Sequence, residues 1–201
     1  MEDRESAASP GAGCAPVGPG RLQSRSVDDW TRLACAARDS RAEADLAAFV
    51  RATQADVWRL CAHLGDRDRA DDLAQEVYAR ALRSLRRFRG DAPARAWLFT
   101  IVRRVVADDI AARQRRRREP VPERTAVPDH QEHVALEQLL DTLDPDRRTA
   151  FVLTQLLGWS YAQAAEACGC PVGTIRSRVA RARETLAGLV ADEGVRRQSG
   201  A

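Results

Sequence analysis

Apolar residues recur along most of this chain at steps of three and four positions, which is the period of an amphipathic helix. One such stripe runs through residues 46–64, a second through 68–85 and a third through 94–118. The alternation of apolar and polar residues that is typical of strands does not occur. The sequence therefore predicts an all-α fold.

Helix boundaries are marked by capping residues and glycines. A short helix is predicted over residues 28–38, ahead of the first stripe. Ser40 and Glu43 have the spacing of a capping box, so they predict the start of the next helix, and Gly65 predicts its end. On the helix that follows, polar side chains gather on the face opposite the apolar stripe: Asp72, Gln75, Glu76 and Arg83.

Prolines divide the chain into two small helical domains. The stretch EPVPERTAVPDH holds three prolines and no helical period, so residues 119–131 are predicted to be a flexible linker. It separates a domain over residues 27–118 from a second one over 132–191. Residues 1–26, rich in Gly, Pro, Ala and Ser, are predicted to be a disordered tail, and 192–201 a second tail.

The second domain carries clear start and stop signals. After the short helix HVALEQLLDTL, Asp144 stands before a proline and predicts a helix start, and Gly158 predicts that helix's end. Ser160 and Gln163 form another capping box, and the tight turn GCP then leads into a helix over about 172–190. Two helices joined by a short Gly-containing turn form a helix-turn-helix, whose second helix enters the major groove of DNA.

That second helix has one apolar face and one face of small residues flanked by arginines, at about 100° per residue. The apolar face consists of Ile175, Val179, Ala182, Leu186 and Leu189. Ser177 and Arg181 lie opposite it, in position to reach base edges, while Arg176 and Arg178 flank them and suit phosphates. A solvated surface helix is the alternative, and the turn in front of the helix favours DNA.

Charge is abundant but nearly balanced, with 32 basic and 29 acidic residues. Every basic residue is Arg, whose planar fork of donors suits phosphates and guanine edges. The five cysteines are an odd number in a chain without an apolar export segment or a run of membrane-spanning length. These features predict a cytoplasmic protein with unpaired thiols and no membrane insertion.

Other chemistries find little support. Cys168 and Cys170, together with His130 and His133, suggest a zinc site, but the Cys-x-Cys gap is shorter than zinc sites use and the histidines lie in or beside the linker. Redox sensing by the same thiols is no better supported. The sequence holds no phosphate-binding Gly-rich loop and no nucleophile elbow, so it predicts neither an enzyme nor a cofactor.

Three segments, in this order along the chain, resemble one family. ADDLAQEVYARAL is similar to the polymerase-binding helix of the sigma-70 family of bacterial transcription initiation factors, in its small extracytoplasmic-function (ECF) class. FRGDAPARAWLFTIVRRVVADDIAARQRR resembles its promoter-melting and minus-10 segment, and GWSYAQAAEACGCPVGTIRSRVARARETL resembles its domain 4. The resemblance covers residues 27–190 and implies a protein that directs core RNA polymerase to promoters.

The resemblance also implies roles for particular residues. Domain 2 would dock on the clamp helices of the polymerase β′ subunit through Asp72, Gln75 and Glu76. It would read the melted minus-10 strand through Trp97, Arg103, Arg104 and Asp108. Domain 4 would contact the β flap and read the minus-35 duplex through Thr174, Arg176, Ser177, Arg178 and Arg181. The implied partners are core RNA polymerase, promoter DNA and, as in many family members, an anti-sigma factor.

Several of these positions have a second interpretation. Trp97 suits core packing at least as well as base capture, because large aromatics are usually packing residues. The acidic face around Asp72, taken alone, fits a solvated surface better. Arg104 stands where many family members carry Asn, and Cys170 stands at the start of the recognition helix, where Ser or Asp is usual.

The rival hypothesis for the whole chain is a helix-turn-helix regulator whose N-terminal half senses a signal. Such a regulator binds an operator duplex by itself, as a dimer on a palindrome. A sigma factor instead binds core polymerase tightly and reads two different promoter boxes.

Overall fold

A computed structural model of the 201-residue chain describes residues 27–118 and 131–199, and every regular element in those two ranges is helical. This confirms the prediction of an all-α fold. The helices are α1 Val27–Ser40, α2 Glu43–Leu64, α3 Ala70–Ser84, α4 Ala94–Arg118, α5 Gln131–Asp141, α6 Pro145–Phe151, α7 Tyr161–Cys168 and α8 Val172–Ser199. The predicted tail over residues 1–26 and nearly all of the predicted linker lie outside the described residues.

The first four helices form one packed unit. Helix α2 lies against α1, α3 and α4, and its apolar stripe faces them as the helical period predicts. Phe49 and Val57 of α2 are buried in one hydrophobic core together with Val77 of α3 and Phe99 of α4. The buried hydroxyl of Thr53 donates to the carbonyl oxygen of Phe49, one turn earlier on α2, at 2.9 Å, which satisfies the hydroxyl.

The start of α2 differs from the prediction. Ala42, not Ser40, is the cap residue, and no side chain caps this helix. Arg41 adopts a positive φ of 53°, so the chain turns between α1 and α2. The Ser40 hydroxyl instead accepts from the backbone N–H of Ala42 at 3.1 Å and lies 2.5 Å from the Asp45 carboxylate. The predicted capping box of Ser40 and Glu43 is therefore wrong, because the turn draws the serine side chain into its own hydrogen bonds.

The second unit follows its capping signals. The Asp144 side chain accepts from the backbone N–H of Arg147 at 3.0 Å at the start of α6. At the start of α7 the Ser160 hydroxyl accepts from the backbone N–H of Gln163 at 3.1 Å, and the Gln163 side chain accepts from the backbone N–H of Ser160 at 2.8 Å. Gly169 ends α7 with a φ of 64°, which favours glycine. The predicted helix-turn-helix is confirmed.

Helix α8 is longer than the sequence pattern indicates. It was predicted over about 172–190, whereas the structure continues it to Ser199. The helical periodicity predicted its first part, in which Ile175, Val179 and Ala182 are buried. Its last turns lie in a polar stretch where the apolar period gives no signal.

A π-helical turn connects α6 to the loop before α7. Residues Val152–Leu156 form this turn, and the backbone N–H of Leu157 donates to the carbonyl of Val152 at 3.0 Å. Gly158 follows with a φ of 69°. The turn aims the Trp159 side chain at α4, where only 3% of Trp159 remains exposed. The two helical units therefore pack on each other in this structure.

Candidate nucleic-acid and protein interfaces

Helix α8 presents a polar face opposite its buried one. Arg176, Ser177 and Arg181 are exposed there, while the buried face packs on α6 and α7. The Ser177 hydroxyl donates to the carbonyl of Thr174 at 2.9 Å, so it stays close to the helix surface. Within the described part of the chain, no ion pair or hydrogen bond occupies the guanidinium groups of Arg176 and Arg181. Both are available to an acceptor from outside.

Two further arginines of α8, Arg178 and Arg183, have partners inside the same unit. Arg178 forms an ion pair with Asp146 at the start of α6, and its guanidinium lies 3.8 Å from the Cys170 sulfur. Arg183 donates to the side-chain oxygen of Gln155. The prediction assigned Arg178 to DNA, and the structure gives it a second role, since it also holds α8 against α6.

Helix α4 carries the residues predicted for the minus-10 strand on one side. Thr100, Arg103, Arg104 and Ala107 line an open hollow of about 310 Å³. Arg103 and Arg104 are exposed, and the Arg103 guanidinium lies 5.9 Å from the centre of the Phe99 ring. A hollow with two arginines at its rim suits a phosphate–sugar backbone.

Trp97 lies on the same helix but serves mainly as packing. Its ring centre is 4.9 Å from that of Phe88 and 6.4 Å from that of Phe49, both of which are buried. The indole is half-buried in this aromatic cluster. Any base contact by Trp97 therefore uses only the remaining exposed part of its ring.

The residues predicted to bind polymerase lie on α3. Asp72 and Gln75 are exposed, and the side chain of Glu76 is 45% exposed. Beside them an apolar groove of about 690 Å³ separates α2 from α3. Its apolar lining includes Trp58, Tyr78 and Leu82. The apolar stripes did not predict this groove, although its Leu and two aromatic residues lie outside those stripes and were a usable signal.

The sequence pattern also gave no role to Arg80, which contacts one residue of the predicted polymerase-binding site and one residue of the predicted minus-10 site. Its Nε lies 2.7 Å from the Glu76 carboxylate on α3, and its Nη1 lies 2.7 Å from the Asp108 carboxylate on α4. Hydrogen bonds to Asp108 and Glu76 raise the pKa of Arg80. The Glu–Arg spacing of four residues was the only sequence signal for this contact.

The contact between the two units, called the seam below, is built around Arg95 of α4. Its guanidinium carbon lies 4.5 Å from the ring centre of Trp30 and 4.9 Å from that of Trp159. Phe99 meets Trp159 edge-on, with 5.9 Å between ring centres. Burial lowers the pKa of Arg95, as expected for a cation shielded from water between two indoles.

Polar contacts extend the seam at its far side. The Arg148 Nε donates to the carbonyl oxygen of His63 at 2.6 Å. Arg67 lies 3.7 Å from the Glu137 carboxylate, whose pKa is raised by burial. A crevice of about 480 Å³ between α4 and the start of α6 completes the contact, and Arg103 is among its lining residues. The face of α4 that is predicted to read the minus-10 strand thus borders the second unit.

Two of the cysteines that the structure describes, Cys61 and Cys168, are held as unreactive thiols. Burial raises the pKa of Cys168 to about 11 and that of Cys61 to about 12, so both remain thiols at neutral pH. Among the described residues, no group of three His, Cys, Asp or Glu side chains is placed to hold a metal. His130 lies outside the described ranges.

Comparison with known proteins accounts for both units. Residues 49–117 match the family model for sigma-70 region 2, and residues 133–186 match the one for sigma-70 region 4. The ECF RNA polymerase sigma factor SigC of Mycobacterium tuberculosis is 47% identical over 167 residues, covering 78% of this chain and 88% of that protein. The chain belongs to the ECF class of sigma-70 factors.

Further relatives and solved structures support the same family for this sigma factor. EcfG of Rhodopseudomonas palustris is 40% identical over 140 residues, which is 65% of this chain and 76% of EcfG. The structure of CnrH with the cytosolic domain of CnrY has a TM-score of 0.66 at 26% identity, covering 83% of this chain and 99% of that chain. RpoE of Bartonella quintana, bound to the anti-sigma factor NepR, has a TM-score of 0.62 at 30% identity, covering 73% and 97%.

Two further findings concern catalysis and membrane-spanning helices. Sigma factors form a family of transcription initiation factors and not of enzymes, which fits the absence of catalytic motifs noted in the sequence. None of the sigma factor's helices in the described ranges has both the length and the apolar character needed to span a bilayer.

Proposed function

We propose that this chain binds core RNA polymerase in the cytoplasm and directs it to two-box promoters, with the polymerase supplying all catalysis. The observation that carries the proposal is the outward face of α8, where Arg176 and Arg181 lie exposed beside Ser177 and form no ion pair with any residue that the structure describes. An acceptor on DNA can bind these guanidinium groups without first breaking an ion pair. The helix-turn-helix that presents them lies within the segment matched to sigma-70 region 4.

The proposed division of labour follows the two helical units. The α8 face reads the minus-35 box as duplex through Arg176, Ser177 and Arg181, with Thr174 and Arg178 supporting it. The α4 face reads the melted minus-10 strand through Arg103, Arg104 and Asp108, with a part of Trp97. Helix α3 docks on the β′ clamp helices through Asp72, Gln75 and Glu76, and the second unit contacts the β flap.

An anti-sigma factor is proposed as a further partner. The related structures of CnrH and RpoE are complexes with the cytosolic domain of CnrY and with NepR, respectively. In this sigma factor the α2–α3 groove and the exposed Leu82 at its edge offer apolar surface that a second protein could cover.

A reconstitution experiment tests the function. Purified protein is added to core RNA polymerase with a promoter from its own genome, and run-off transcripts are measured beside a core-only reaction. We expect promoter-specific transcripts only when both proteins are present. A protein that binds a palindromic operator as a dimer and produces no polymerase-dependent transcript would instead be the rival helix-turn-helix regulator.

The two roles of Arg178 can be separated by a pair of substitutions. Arg178→Ala is expected to lower the free energy of unfolding by at most about 1 kcal/mol, because its ion pair with Asp146 is partly exposed. It should also lower the salt dependence of promoter binding, by about one counterion, if the guanidinium meets a phosphate. Denaturant unfolding and a salt titration of holoenzyme binding measure the two effects.

Asp146→Asn is the matched control for this prediction. It breaks the same ion pair but leaves the Arg178 guanidinium free for a phosphate, so the stability loss should recur while the salt dependence is kept. If both variants weaken promoter binding equally, Arg178 only holds α8 on α6.

A further inference from the structure

We infer that Arg80 is a positioning residue that couples docking on the polymerase to reading of the minus-10 strand. The inference rests on the proposed function, because it links Glu76 on the polymerase-binding helix with Asp108 on the promoter-reading helix. Arg80 itself is 35% exposed and lies between the two carboxylates. No other side chain in the described ranges forms ion pairs with residues of both predicted sites.

The geometry of the guanidinium supports a mechanical link. Nε holds Glu76 at 2.7 Å and Nη1 holds Asp108 at 2.7 Å, so a single planar group bridges α3 and α4. The donors of a guanidinium keep a fixed arrangement relative to one another. A shift of the Glu76 carboxylate therefore reorients the donor that holds Asp108. A movement of either carboxylate therefore changes the position of the other through Arg80.

The two carboxylates depend on Arg80 to different degrees. Glu76 has a second cation nearby, since Arg83 lies 3.7 Å from it. Asp108 is 65% exposed, and Arg80 is the sole cation in ion-pair contact with it within the described residues. Without Arg80, an unneutralised carboxylate would stand beside the arginine-rimmed hollow on α4 and repel the phosphates of a bound strand.

The sharing of one arginine gives the coupling a direction. When a polar group of the polymerase binds the Glu76 carboxylate, it replaces Arg80 as the partner of that carboxylate. The Arg80 guanidinium then keeps its ion pair with Asp108 alone. Asp108 is then both neutralised and fixed in orientation, so its remaining acceptor positions face the promoter strand in one arrangement. Docking on polymerase thereby prepares the minus-10 face, and the free protein lacks that preparation.

A double-mutant cycle tests the coupling. Glu76→Gln, Asp108→Asn and the double variant are assembled with saturating core polymerase, and open-complex formation is measured with a fluorescent base analogue in the minus-10 box. With Arg80 present, the double variant should differ from the product of the single effects by about two- to fivefold, as partly exposed ion pairs allow. In an Arg80→Ala background, the effect of the double variant on open-complex formation should equal the product of the two single effects, so the coupling should be absent.

Two further variants keep the test specific. Arg83→Ala removes the other cation near Glu76 but does not reach α4, so the two- to fivefold coupling should survive it. Arg80→Lys keeps the charge without the rigid fork, so it should not restore the coupling even where it restores the thermal midpoint. A merely structural Arg80 would change the midpoint and leave the cycle unaltered.

The outcomes separate this inference from the proposed function. If the unmodified protein forms holoenzyme and opens promoters, but the Glu76 and Asp108 effects multiply with Arg80 present, the Arg80 inference is overturned alone. If the unmodified protein does not bind core polymerase at all, the proposed function fails and the inference fails with it.

Discussion

Replacing Arg181 by alanine is expected to weaken promoter binding by roughly 1–3 kcal/mol, or about 5- to 150-fold, at particular minus-35 bases and far less at others. The Arg181 side chain is exposed on α8 and has no partner within the described residues. Its fork of donors can therefore bind a guanine edge in full, and the loss on truncation should fall on the base that it contacts.

The measurement is a panel of promoter duplexes, each altered at one minus-35 base, bound by holoenzyme at one fixed salt concentration. Arg183→Ala serves as the control, since Arg183 is also exposed on α8 but lies on the flank and donates to Gln155. It should lower all affinities slightly and evenly. An equally even loss for Arg181→Ala would remove Arg181 from base reading.

Replacing Trp159 by alanine is expected to separate the two helical units. Trp159 is buried against Phe99 and Arg95, and truncation of a buried Trp costs about 3–5 kcal/mol of packing. Because most of this contact crosses the seam, the loss should appear as opening and not as unfolding of either unit. Small-angle scattering should detect an increased radius of gyration.

Trp97→Ala is the matched control, because Trp97 packs within the first unit against Phe88 and Phe49. It should lower the thermal midpoint without changing the radius of gyration. If Trp159→Ala also lowers only the midpoint, Trp159 stabilises the second unit and does not hold the seam.

Under the proposed division of labour, the distance between the two promoter boxes requires the seam to open. The minus-35 and minus-10 boxes are centred about 25 base pairs apart, or roughly 85 Å at 3.4 Å per base pair. A sigma factor whose Trp159 touches α4 cannot place α8 on one box and α4 on the other. If α8 and α4 read these two boxes as proposed, the packed arrangement in this structure is one that the protein leaves when it binds a promoter.

The seam is also opposed by unsatisfied polar groups. The indole N–H groups of Trp30 and Trp159 and the Nε of Arg95 are buried with no hydrogen-bond partner in the described part of the chain. Each such group costs about 1–3 kcal/mol relative to water, which would satisfy it after opening. The aromatic packing is therefore partly offset, and a partner that binds either unit needs to supply only the difference.

Local signals in the sequence predicted most of the fold and the outer face of α8. The capping box of Ser160 and Gln163 and the αL end at Gly169 depend only on neighbouring residues, so the pattern sufficed. The predicted capping box at Ser40 is wrong because Arg41 adopts a positive φ, and an arginine in the sequence does not indicate this backbone conformation. The helical period also separated the buried Ile175 from the exposed Arg181 correctly.

Contacts between distant segments could not be predicted in this way. Arg178 looked like a surface residue, but its partner Asp146 lies 32 positions earlier in the chain. Trp159 lies in a loop without periodicity, so nothing in the sequence indicated that it packs on α4. The Arg80 contact with Asp108 joins two helices whose individual patterns say nothing about their relative rotation.

The π-helical turn at Val152–Leu156 determines the phase at which the chain leaves α6. A π turn accommodates one residue more than an α turn, and one residue corresponds to about 100° of rotation about the axis. Shortening this segment by one residue would turn the following loop through about a quarter of a circle and move the Trp159 indole off α4. The length of this π turn, to within one residue, thus sets whether the two halves of the protein can lie together, independently of every residue proposed to touch DNA.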